Sequence, residues 1–551
     1  MLQFPPRMRL FLGFVSWFAG VTFGSGLELT RGPYLQSATP TSIVIRWRTD
    51  EPTESLIHYG TAPTNLHSIA GDIGDTTEHI VEIGGLNPDT RYYYSVGDLD
   101  EEIAWGPEYH FFTHPIPGTS KPTRIWAIGD CGTFNTGGGN QVGVRDAYYN
   151  FAGPRHTDVW LALGDNAYYS GTDAEYQANF FDIYTSLFRK SVLWSTIGNH
   201  ETYSPVEGSQ LPYFNMFSFP RFGEAGGVAS GTEKYYSFDY ANIHFVCLDS
   251  ELSDRSPDGA MLHWLRADLE ANASDWLIAF WHSPPYTKGS HDSDNLFDNF
   301  GNMTDMRANA VRLLEEYGVD LVLSGHSHIY ERSHLTHGHY GFSTTLEPTM
   351  IKDEGSGRPE DTGAYLKSLS GPAANQGAVY VVAGCSGWAT SRTGHHPIMC
   401  FDELEVGSMV IDVNGKRLDA KFLRETGATD DYFTMVKGAA PESLRICTFD
   451  VKDGEVTVRW KSVAGESYRV QHSASIETPA WVNVSEPIAA SGATTSWRAP
   501  LPDGITQGFY RVVQLAPPAL VAPKPMLTTK KGATRAARQT VKNLKKLQAD
   551  R

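Results

Sequence analysis

A chain of 551 residues is too long for one hydrophobic core, so we expect about three domains. With 41% hydrophobic and 20% charged residues, the composition is typical of globular proteins and excludes a disordered chain. The formal net charge of −18 argues against a nucleic-acid-binding protein and against one that binds anionic membranes. Five scattered cysteines indicate neither a disulfide framework nor a thiolate metal site, and leave open one bridge, between Cys385 and Cys400.

The N-terminal segment has the pattern of an export signal. Arg7 and Arg9 precede an apolar stretch over residues 10–23, and the small residues 24–26 provide a cleavage site. The apolar stretch is shorter than the roughly 20 residues that a membrane-spanning helix needs. We therefore predict that residues 1–26 are a cleaved signal peptide, with an uncleaved anchor as the alternative, and that no other segment spans a membrane. The mature protein is then secreted, to the periplasm or to the outside of the cell.

The next segment, residues 27–115, has the alternating pattern of an all-β domain. Residues 42–47 alternate apolar and polar side chains and carry Trp47. A turn at residues 86–90 leads into a second alternating stretch, residues 92–96. We predict a fibronectin-III-like β-sandwich over residues 27–115.

Residues 116–440 alternate apolar runs with helical patterns, which predicts an α/β domain. The apolar runs that we expect to form buried strands cover residues 124–128, 159–163, 276–280 and 321–323. Helices are predicted around residues 261–269 and 306–314, the second closed by Gly318. In such α/β folds, ligands bind at the carboxyl ends of the strands.

Two further segments follow residue 440. Residues 441–515 again alternate and predict a second, small all-β sandwich module, for which a packing or spacer role is favoured over carbohydrate or surface binding. Residues 516–551 have prolines at positions 517, 518, 523 and 525, and carry nine lysines and arginines against one aspartate. This composition predicts a Pro-rich basic tail that is solvated and disordered.

Five short polar motifs follow the apolar runs of the central segment. They are Gly129-Asp130-Cys131-Gly132, Gly164-Asp165-Asn166-Ala167-Tyr168, Gly198-Asn199-His200-Glu201, Trp281-His282 and Gly325-His326-Ser327-His328. Together they offer carboxylate, phenolate, amide and imidazole groups, which suit two adjacent hard or borderline cations. The order and placement of the motifs predict a hydrolase with two metal ions.

Each residue taken alone has an ordinary structural explanation. Asp130 is typical of a helix cap or turn, and His282 of a hydrogen-bonded core imidazole. Asp165 repeats the strand-Gly-Asp arrangement, and a carboxylate between two cations can bridge them at roughly 3.5–4 Å. Tyr168 is a packed aromatic or a phenolate ligand of ferric iron, whereas Asn199 is a weak ligand that suits a more labile divalent ion.

Three histidines complete the motifs. His200 is adjacent to Asn199 and is free for acid chemistry. His326 and His328 are two residues apart, so in an extended segment their side chains diverge. The pair therefore fits two different metals or a tight loop.

These motifs resemble those of the purple acid phosphatases, a family of the calcineurin-like metallophosphoesterase superfamily. The family pattern GDxG, GDxxY, GNH[ED], a single His and GHxH is matched throughout, and Tyr168 is typical of the purple branch. The resemblance covers about residues 27–440, including the opening Arg31-Gly32-Pro33-Tyr34-Leu35-Gln36 of the N-terminal sandwich. It implies a secreted, bacterial-type member whose catalytic domain, residues 116–440, has a β-sandwich core flanked by helices.

The resemblance also implies a binuclear metal centre. Asp165 would bridge an Fe(III) ion and a divalent Fe(II), Zn(II) or Mn(II) ion. The remaining ligands are Asp130, Tyr168 and His328 for Fe(III), and Asn199, His282 and His326 for the divalent ion.

Four residues are implied to contact the substrate: Asn199, His200, His291 and Asp292. His200 resembles the outer histidine of the family that contacts phosphate. Plant members place two consecutive histidines where this chain has His291 and Asp292. His291 would orient the substrate or protonate the leaving group, whereas an ionised Asp292 cannot replace a cationic partner.

The implied activity is that of an acid phosphatase, with a small phosphate ester as substrate and no nucleic-acid-binding module. A metal-bound hydroxide would attack phosphorus, and His200 or His291 would protonate the leaving group, which favours mildly acidic pH. A phosphodiesterase or nucleotide hydrolase on the same site is the alternative. A noncatalytic adhesion protein is a third interpretation, against which the intact set of ligands argues.

Overall fold

A computed structural model describes most of the chain. The described residues are 27–132, 140–205, 211–369, 374–438, 446–452, 454–462, 467–475, 480–490, 494–500 and 508–515. The predicted signal peptide and the predicted tail, residues 1–26 and 516–551, lie outside them. Within the described ranges, every helix is too short or too polar to span a membrane.

The first described region is an antiparallel sheet, as its alternating sequence predicts. Its strands are Leu29–Gln36, Ile43–Gly60, Ser68–Ile83, Arg91–Gly97, Glu102–Ala104 and His110–Phe112. The long strand Ile43–Gly60 pairs with Leu29–Gln36 through its first half and with Arg91–Gly97 through its second half. Trp47 and Phe111 are fully buried in its core. The predicted bounds of this domain, and of those that follow, stay predictions.

Two seven-stranded sheets make up the central region. In spatial order, the strands of the first are Tyr365–Lys367, Thr429–Lys437, Arg417–Arg424, Gly407–Asn414, Thr123–Ile128, Val159–Ala162 and Leu193–Ser195. Those of the second are Tyr236–Tyr240, Ile243–Cys247, Trp276–Trp281, Leu321–Ser324, Val379–Ala383, Tyr330–Ser333 and Met399–Glu403. A separate pair is formed by Leu335–Thr336 and Ile351–Asp353.

The two sheets share one hydrophobic core and carry helices outside. Trp194 of the first sheet stacks on Phe238 of the second, with ring centroids 3.8 Å apart. Along the strand Trp276–Trp281, Phe280 enters the shared core, whereas Ala279 enters an outer core with the helix Ala260–Ala271. Because side chains of a strand point to alternate faces, an unbroken apolar run indicates a strand that is buried on both faces.

The remaining helices are short. They are Gln141–Ala152, Asp173–Tyr176, Gln177–Phe181, Thr185–Phe188, Asn199–Thr202, Pro212–Met216, Asp298–Gly301, Asn302–Asp305, Met306–Val311, Arg312–Glu316, Ser343–Thr345 and Pro348–Met350. The helices predicted around residues 261–269 and 306–314 are confirmed, and Gly318, with φ of 82°, ends the second one.

The parallel strands of both sheets bring the five motifs to one edge of the sandwich. Thr123–Ile128, Val159–Ala162 and Leu193–Ser195 run parallel in the first sheet, and Trp276–Trp281 and Leu321–Ser324 in the second. Each motif follows the carboxyl end of one of these strands. The topology therefore gathers their side chains in one place.

Two small sheets follow the central region. Their strands are Ile446–Lys452, Glu455–Lys461 and Thr494–Pro500 in one, and Val482–Asn483, Ser467–Ser473, Ile488–Ala489 and Phe509–Gln514 in the other. They bury Trp460 and Tyr468. The bridge between Cys385 and Cys400 that the sequence left open is not formed: both are thiols, and the Cys400 thiol donates to the Arg332 carbonyl at 3.4 Å.

A buried histidine on the outer face of the second sheet lies between two carboxylates. His244 Nδ1 is 2.7 Å from Asp239 Oδ1, and its Nε2 is 2.9 Å from Asp268 Oδ2. Burial opposes the imidazolium, but the hydrogen bonds to the two carboxylates outweigh burial and raise the pKa of His244 to about 9. The charged form of His244 therefore stabilises the folded chain.

We expect this stabilisation to fall as the pH rises. A pKa that is higher in the folded chain than in the unfolded chain gives a stabilisation that is complete below about 6.5, the unfolded value for histidine. It is lost as the pH passes the folded value of about 9, and amounts to about 3 kcal/mol. Between pH 6 and 10 the thermal midpoint should therefore fall further in the native protein than in His244→Gln. An equal fall of the thermal midpoint in both proteins would contradict a charged His244 in the folded chain.

Candidate metal centre

The first group of predicted ligands surrounds the hydroxyl of Tyr168. This oxygen is 3.0 Å from Asp165 Oδ2 and 3.1 Å from both Asp130 Oδ1 and His328 Nε2. A phenol has one proton and can donate it to only one of these atoms. The group is therefore rich in acceptors, as a cation site is.

The second group surrounds the side-chain oxygen of Asn199. Asn199 Oδ1 is 2.9 Å from His282 Nε2 and 2.9 Å from His326 Nδ1. Asp165 Oδ2 lies 3.5 Å from His282 Nε2 and so belongs to both groups. The structure thus brings together all seven residues that the sequence predicts as ligands.

Tight turns after the strands produce this geometry. Asp130, Asp165 and His326 have φ values of 53°, 52° and 66°, in the left-handed region that few residues other than glycine adopt. Such conformations cluster at functional sites, where the surroundings hold them in place. Gly198 permits the close approach of two motifs, because a Cβ there would lie 2.1 Å from Asp165 Oδ1.

Glu201 fixes the backbone of two motifs. Its carboxylate accepts the backbone N–H groups of Asp165, Asn166 and Gly198 at 3.0, 2.7 and 2.8 Å. It also accepts the hydroxyl of Tyr176 at 2.8 Å. The sequence reveals Glu201 as part of a motif, but the role of the carboxylate becomes apparent only from these contacts.

Hydrogen bonds orient the side chains of the predicted ligands. His282 Nδ1 donates to the Leu163 carbonyl at 2.8 Å, which leaves Nε2 directed at Asn199. The backbone N–H of His326 donates to Asp130 Oδ2 at 2.7 Å. Histidine ligands of metals commonly donate from their second ring nitrogen, as His282 does from Nδ1, which fixes the tautomer and the ring orientation.

The charges of the site fit bound cations. Asp130 and Asp165 are buried, and among the described residues their ion-pair partners are histidines only, at 3.4 Å or more. Buried carboxylates without strong cationic partners are costly. Burial and the charges of Asp130 and Asp165 raise the pKa of Tyr168 well above its usual value, so the phenolate needs a cation beside it.

The imidazole of His326 is also in the form that binds metals. Burial, together with the nearby His291 and His282, lowers its pKa well below the usual value, which keeps the ring neutral. Its Nε2 is buried and has no hydrogen-bond partner within the part of the chain that the structure describes. The donor set, two carboxylates, a phenol, an amide and three imidazoles, fits two cations of the predicted kind.

His200 lies at the edge of the two groups. Its ring centroid is 4.4 Å from that of Tyr168, and its Nδ1 donates to the Tyr169 carbonyl at 2.8 Å. Its Nε2 is 3.9 Å from Asp165 Oδ2, and the side chain is 23% exposed. His200 is thus placed outside the predicted ligand set and beside the predicted ligand Asp165.

His291 and Asp292 separate at this site. The His291 ring stacks on that of His326, with centroids 3.9 Å apart. The Asp292 carboxylate instead pairs with the ammonium group of Lys288 and accepts the backbone N–H of Asp294 at 2.9 Å. The structure brings His291 to the predicted ligands and does not bring Asp292 there.

Three further residues contact the site and were not predicted. Asp298 Oδ1 is 2.8 Å from His291 Nδ1, Tyr203 Oη accepts Asn199 Nδ2 at 3.2 Å, and the Trp388 indole lies against His328 with centroids 5.4 Å apart. Tyr203 is four residues after Asn199 at the end of a short helix, a spacing that brings side chains together. Asp298 begins the short helical turn Asp298–Gly301 and Trp388 lies on a loop, and neither belongs to a motif.

Known protein families match two parts of the chain. The family model of the calcineurin-like phosphoesterases matches residues 123–330. The family model of the N-terminal domain of purple acid phosphatases matches residues 32–113. The two matches cover most of the N-terminal antiparallel sheet and the part of the central sandwich that carries all five motifs.

Individual proteins are similar over a larger part of the chain. Purple acid phosphatase 15 of Arabidopsis thaliana is 30% identical over 365 residues, which cover 59% of this chain and 62% of that protein. Purple acid phosphatase 18 of the same plant is 31% identical over 310 residues, which cover 52% of this chain and 63% of that protein. The chain thus spans about three fifths of the length of these curated relatives.

A solved structure has the same fold. The purple acid phosphatase from yellow lupin (Lupinus luteus) seeds superposes with a TM-score of 0.57 at 18% sequence identity, covering 74% of this chain and 75% of that one. At this identity the likeness shows the fold alone. The predicted architecture, a metallophosphoesterase sandwich preceded by a smaller β-sandwich, is confirmed.

Proposed function

Because the chain belongs to the purple acid phosphatase family, we propose that it is an acid phosphatase that hydrolyses small phosphate monoesters. The family implies a binuclear metal centre. The observation that carries the proposal is the position of Asp165. Its Oδ2 lies 3.0 Å from the Tyr168 hydroxyl in one group of ligands and 3.5 Å from His282 Nε2 in the other.

The two groups suit different metals. The phenol group around Tyr168 would hold Fe(III), the amide group around Asn199 would hold Fe(II), Zn(II) or Mn(II), and Asp165 would contact both. When bound, two such cations supply Lewis-acid activation of water and neutralise the charge of the phosphoryl oxygens. The ligand sets are Asp130, Tyr168, His328 and Asp165 for Fe(III), and Asn199, His282, His326 and Asp165 for the divalent ion.

His200 would bind the phosphate group. Its Nδ1 is used by the Tyr169 carbonyl, so Nε2, 3.9 Å from Asp165 Oδ2, is the atom left for the substrate. Since His200 is not among the ligands, it keeps this nitrogen when metals are bound. A charged histidine here can both hold the phosphate and protonate the leaving oxygen, which favours mildly acidic pH.

The test is a metal analysis followed by a substrate panel. We expect about two metal ions per chain, one of them iron, and turnover of aryl and alkyl phosphate monoesters. Turnover of diesters or nucleotides in preference to monoesters would favour the alternative activity on the same site. A protein that holds metals and cleaves none of these esters would rule out the proposal.

We also propose that the protein is exported and that residues 1–26 are removed. The proposal rests on the basic, apolar and small-residue segments at the N-terminus. The protein recovered from the periplasm or medium should have the mass of a chain that begins at residue 27. A retained N-terminus in the membrane fraction would indicate an anchor instead.

Ferric iron at Tyr168 gives a visible signature. A tyrosinate bound to Fe(III) has a charge-transfer band, so the loaded protein should be purple or pink. Tyr168→Phe should lose this colour and keep its fold. Tyr236→Phe is the matched control, because Tyr236 is also buried and its hydroxyl donates to the Ser195 carbonyl at 2.7 Å. Iron-loaded protein without a band that depends on Tyr168 would disprove the ligand assignment.

A further inference from the structure

The carboxylate of Asp298, at the start of the short helical turn Asp298–Gly301, holds the imidazole of His291. His291 Nδ1 is 2.8 Å from Asp298 Oδ1, and Asp298 Oδ2 accepts the backbone N–H of Asp292 at 2.9 Å. With its Nδ1 proton donated to Asp298, the His291 ring has Nε2 as its remaining polar atom. The side chains are 33% and 18% exposed, so the pair is partly shielded from water.

The same ring touches the predicted metal centre. His291 stacks on His326 at a centroid distance of 3.9 Å and an interplanar angle of 24°. His326 Nδ1 in turn is 2.9 Å from Asn199 Oδ1. Asp298 thus fixes one edge of a ring whose face lies against a predicted ligand.

The turn that carries Asp298 is itself anchored. Asn299 and Phe300 have φ values of 42° and 56°, in the left-handed region that such residues adopt only where the surroundings hold them. Asn299 Nδ2 donates to Glu251 Oε2 at 3.1 Å and to Ser283 Oγ at 2.7 Å. Ser283 directly follows the predicted ligand His282, so this hydrogen bond links the turn to the predicted metal centre independently of His291.

Asp292, the sequence neighbour of His291, is used elsewhere. Its carboxylate pairs with Lys288, which also lies 3.1 Å from Asp294 Oδ2. Three aspartates follow His291 closely in sequence, Asp292, Asp294 and Asp298, and the hydrogen bond to the imidazole comes from Asp298.

We propose that Asp298 is the positioning residue of His291: it holds the Nδ1–H and thereby presents Nε2 to the bound phosphate ester. This inference rests on the proposed phosphatase function. It assigns to Asp298 the orienting role that hydrogen-bond partners of functional histidines commonly have. Asp298 is neither a predicted ligand nor a predicted substrate contact, so we expect its effect on turnover to pass through His291.

A double-mutant cycle tests this dependence. We expect Asp298→Ala to lower kcat/KM for an alkyl monoester by about tenfold to a hundredfold, since a displaced side chain can cost that much. In a His291→Ala background the same change should have almost no effect, because the ring that Asp298 holds is gone. Asp298→Asn should lose less than Asp298→Ala, because its amide oxygen can still accept the Nδ1–H.

Controls separate positioning from a general loss of structure. Metal content and thermal midpoint are measured for every variant, and Asp298→Asn preserves the side-chain shape if Asp298→Ala folds poorly. Asp305→Ala is the matched control, because Asp305 follows on the next helix and pairs only with Arg255, at 3.5 Å, among the described residues.

The outcomes are distinguishable. If the native protein cleaves no monoester, the proposed function fails, and this inference fails with it. If the native protein is active but Asp298→Ala costs as much in the His291→Ala background as in the native protein, only the role of Asp298 is overturned.

Discussion

Asp165→Asn is expected to remove metal occupancy and phosphate-ester hydrolysis together. Asp165 contacts both groups of ligands, through the Tyr168 hydroxyl on one side and His282 Nε2 on the other. The substitution removes one negative charge from the position proposed to lie between two cations and offers a weaker neutral oxygen. The charge stabilisation by the ions is worth several kcal/mol, so we expect turnover to fall by at least about 10³-fold.

The control for this variant lies at the other end of the same strand. Asp158 precedes the strand Val159–Ala162, whereas Asp165 follows it, and both aspartates are buried. Asp158 accepts the backbone N–H of Arg124 at 2.8 Å and pairs with Arg155 at 2.7 Å. It lies at the amino end of the strand, whereas the predicted ligands lie at the carboxyl ends. Asp158→Asn should therefore keep both metals and most of the turnover. Turnover like that of the native protein in Asp165→Asn would refute the two-metal mechanism.

The sequence predicts the strands of this centre well because each is an unbroken apolar run. The run before Asp130 and the run before Asp165 form neighbouring parallel strands, so their carboxyl ends meet as the α/β pattern requires. The predicted ligands lie together in the structure because they follow directly from such strand ends. Their position just after the ends of parallel strands is therefore sufficient to predict that they lie close together.

Loops are a different matter, because spacing along the chain does not determine which way a side chain turns. The sequence draws attention to Asp292, next to His291, but the carboxylate that contacts this ring belongs to Asp298. A left-handed turn and the hydrogen bonds of Asn299 to Glu251 and Ser283 decide this, and neither is visible as a motif. Trp388 likewise reaches His328 from a separate loop.

Asp165→Asn tests the metals, whereas His200→Ala tests the chemistry around them. We expect His200→Ala to lower turnover of monoesters by about 10²- to 10⁴-fold, the usual contribution of a general acid. Both metals should stay bound, because the His200 side chain is outside the two groups of ligands and its backbone N–H can still donate to Asp165 Oδ1, now at 2.9 Å. Metal analysis and steady-state kinetics from pH 4 to 9 measure the two effects separately.

The kinetic pattern identifies what His200 does. Loss of a phosphate contact should weaken inhibition by inorganic phosphate, whereas loss of the proton donor should cost more with alkyl esters than with aryl esters, whose leaving groups need little protonation. His263→Ala, a change at an exposed histidine of the helix Ala260–Ala271, should have neither effect. If His200→Ala loses its metals along with its activity, His200 supports the centre and is not a separate catalytic group. If it keeps both metals and native turnover, His200 has no part in catalysis, and His291 becomes the main candidate for the acid.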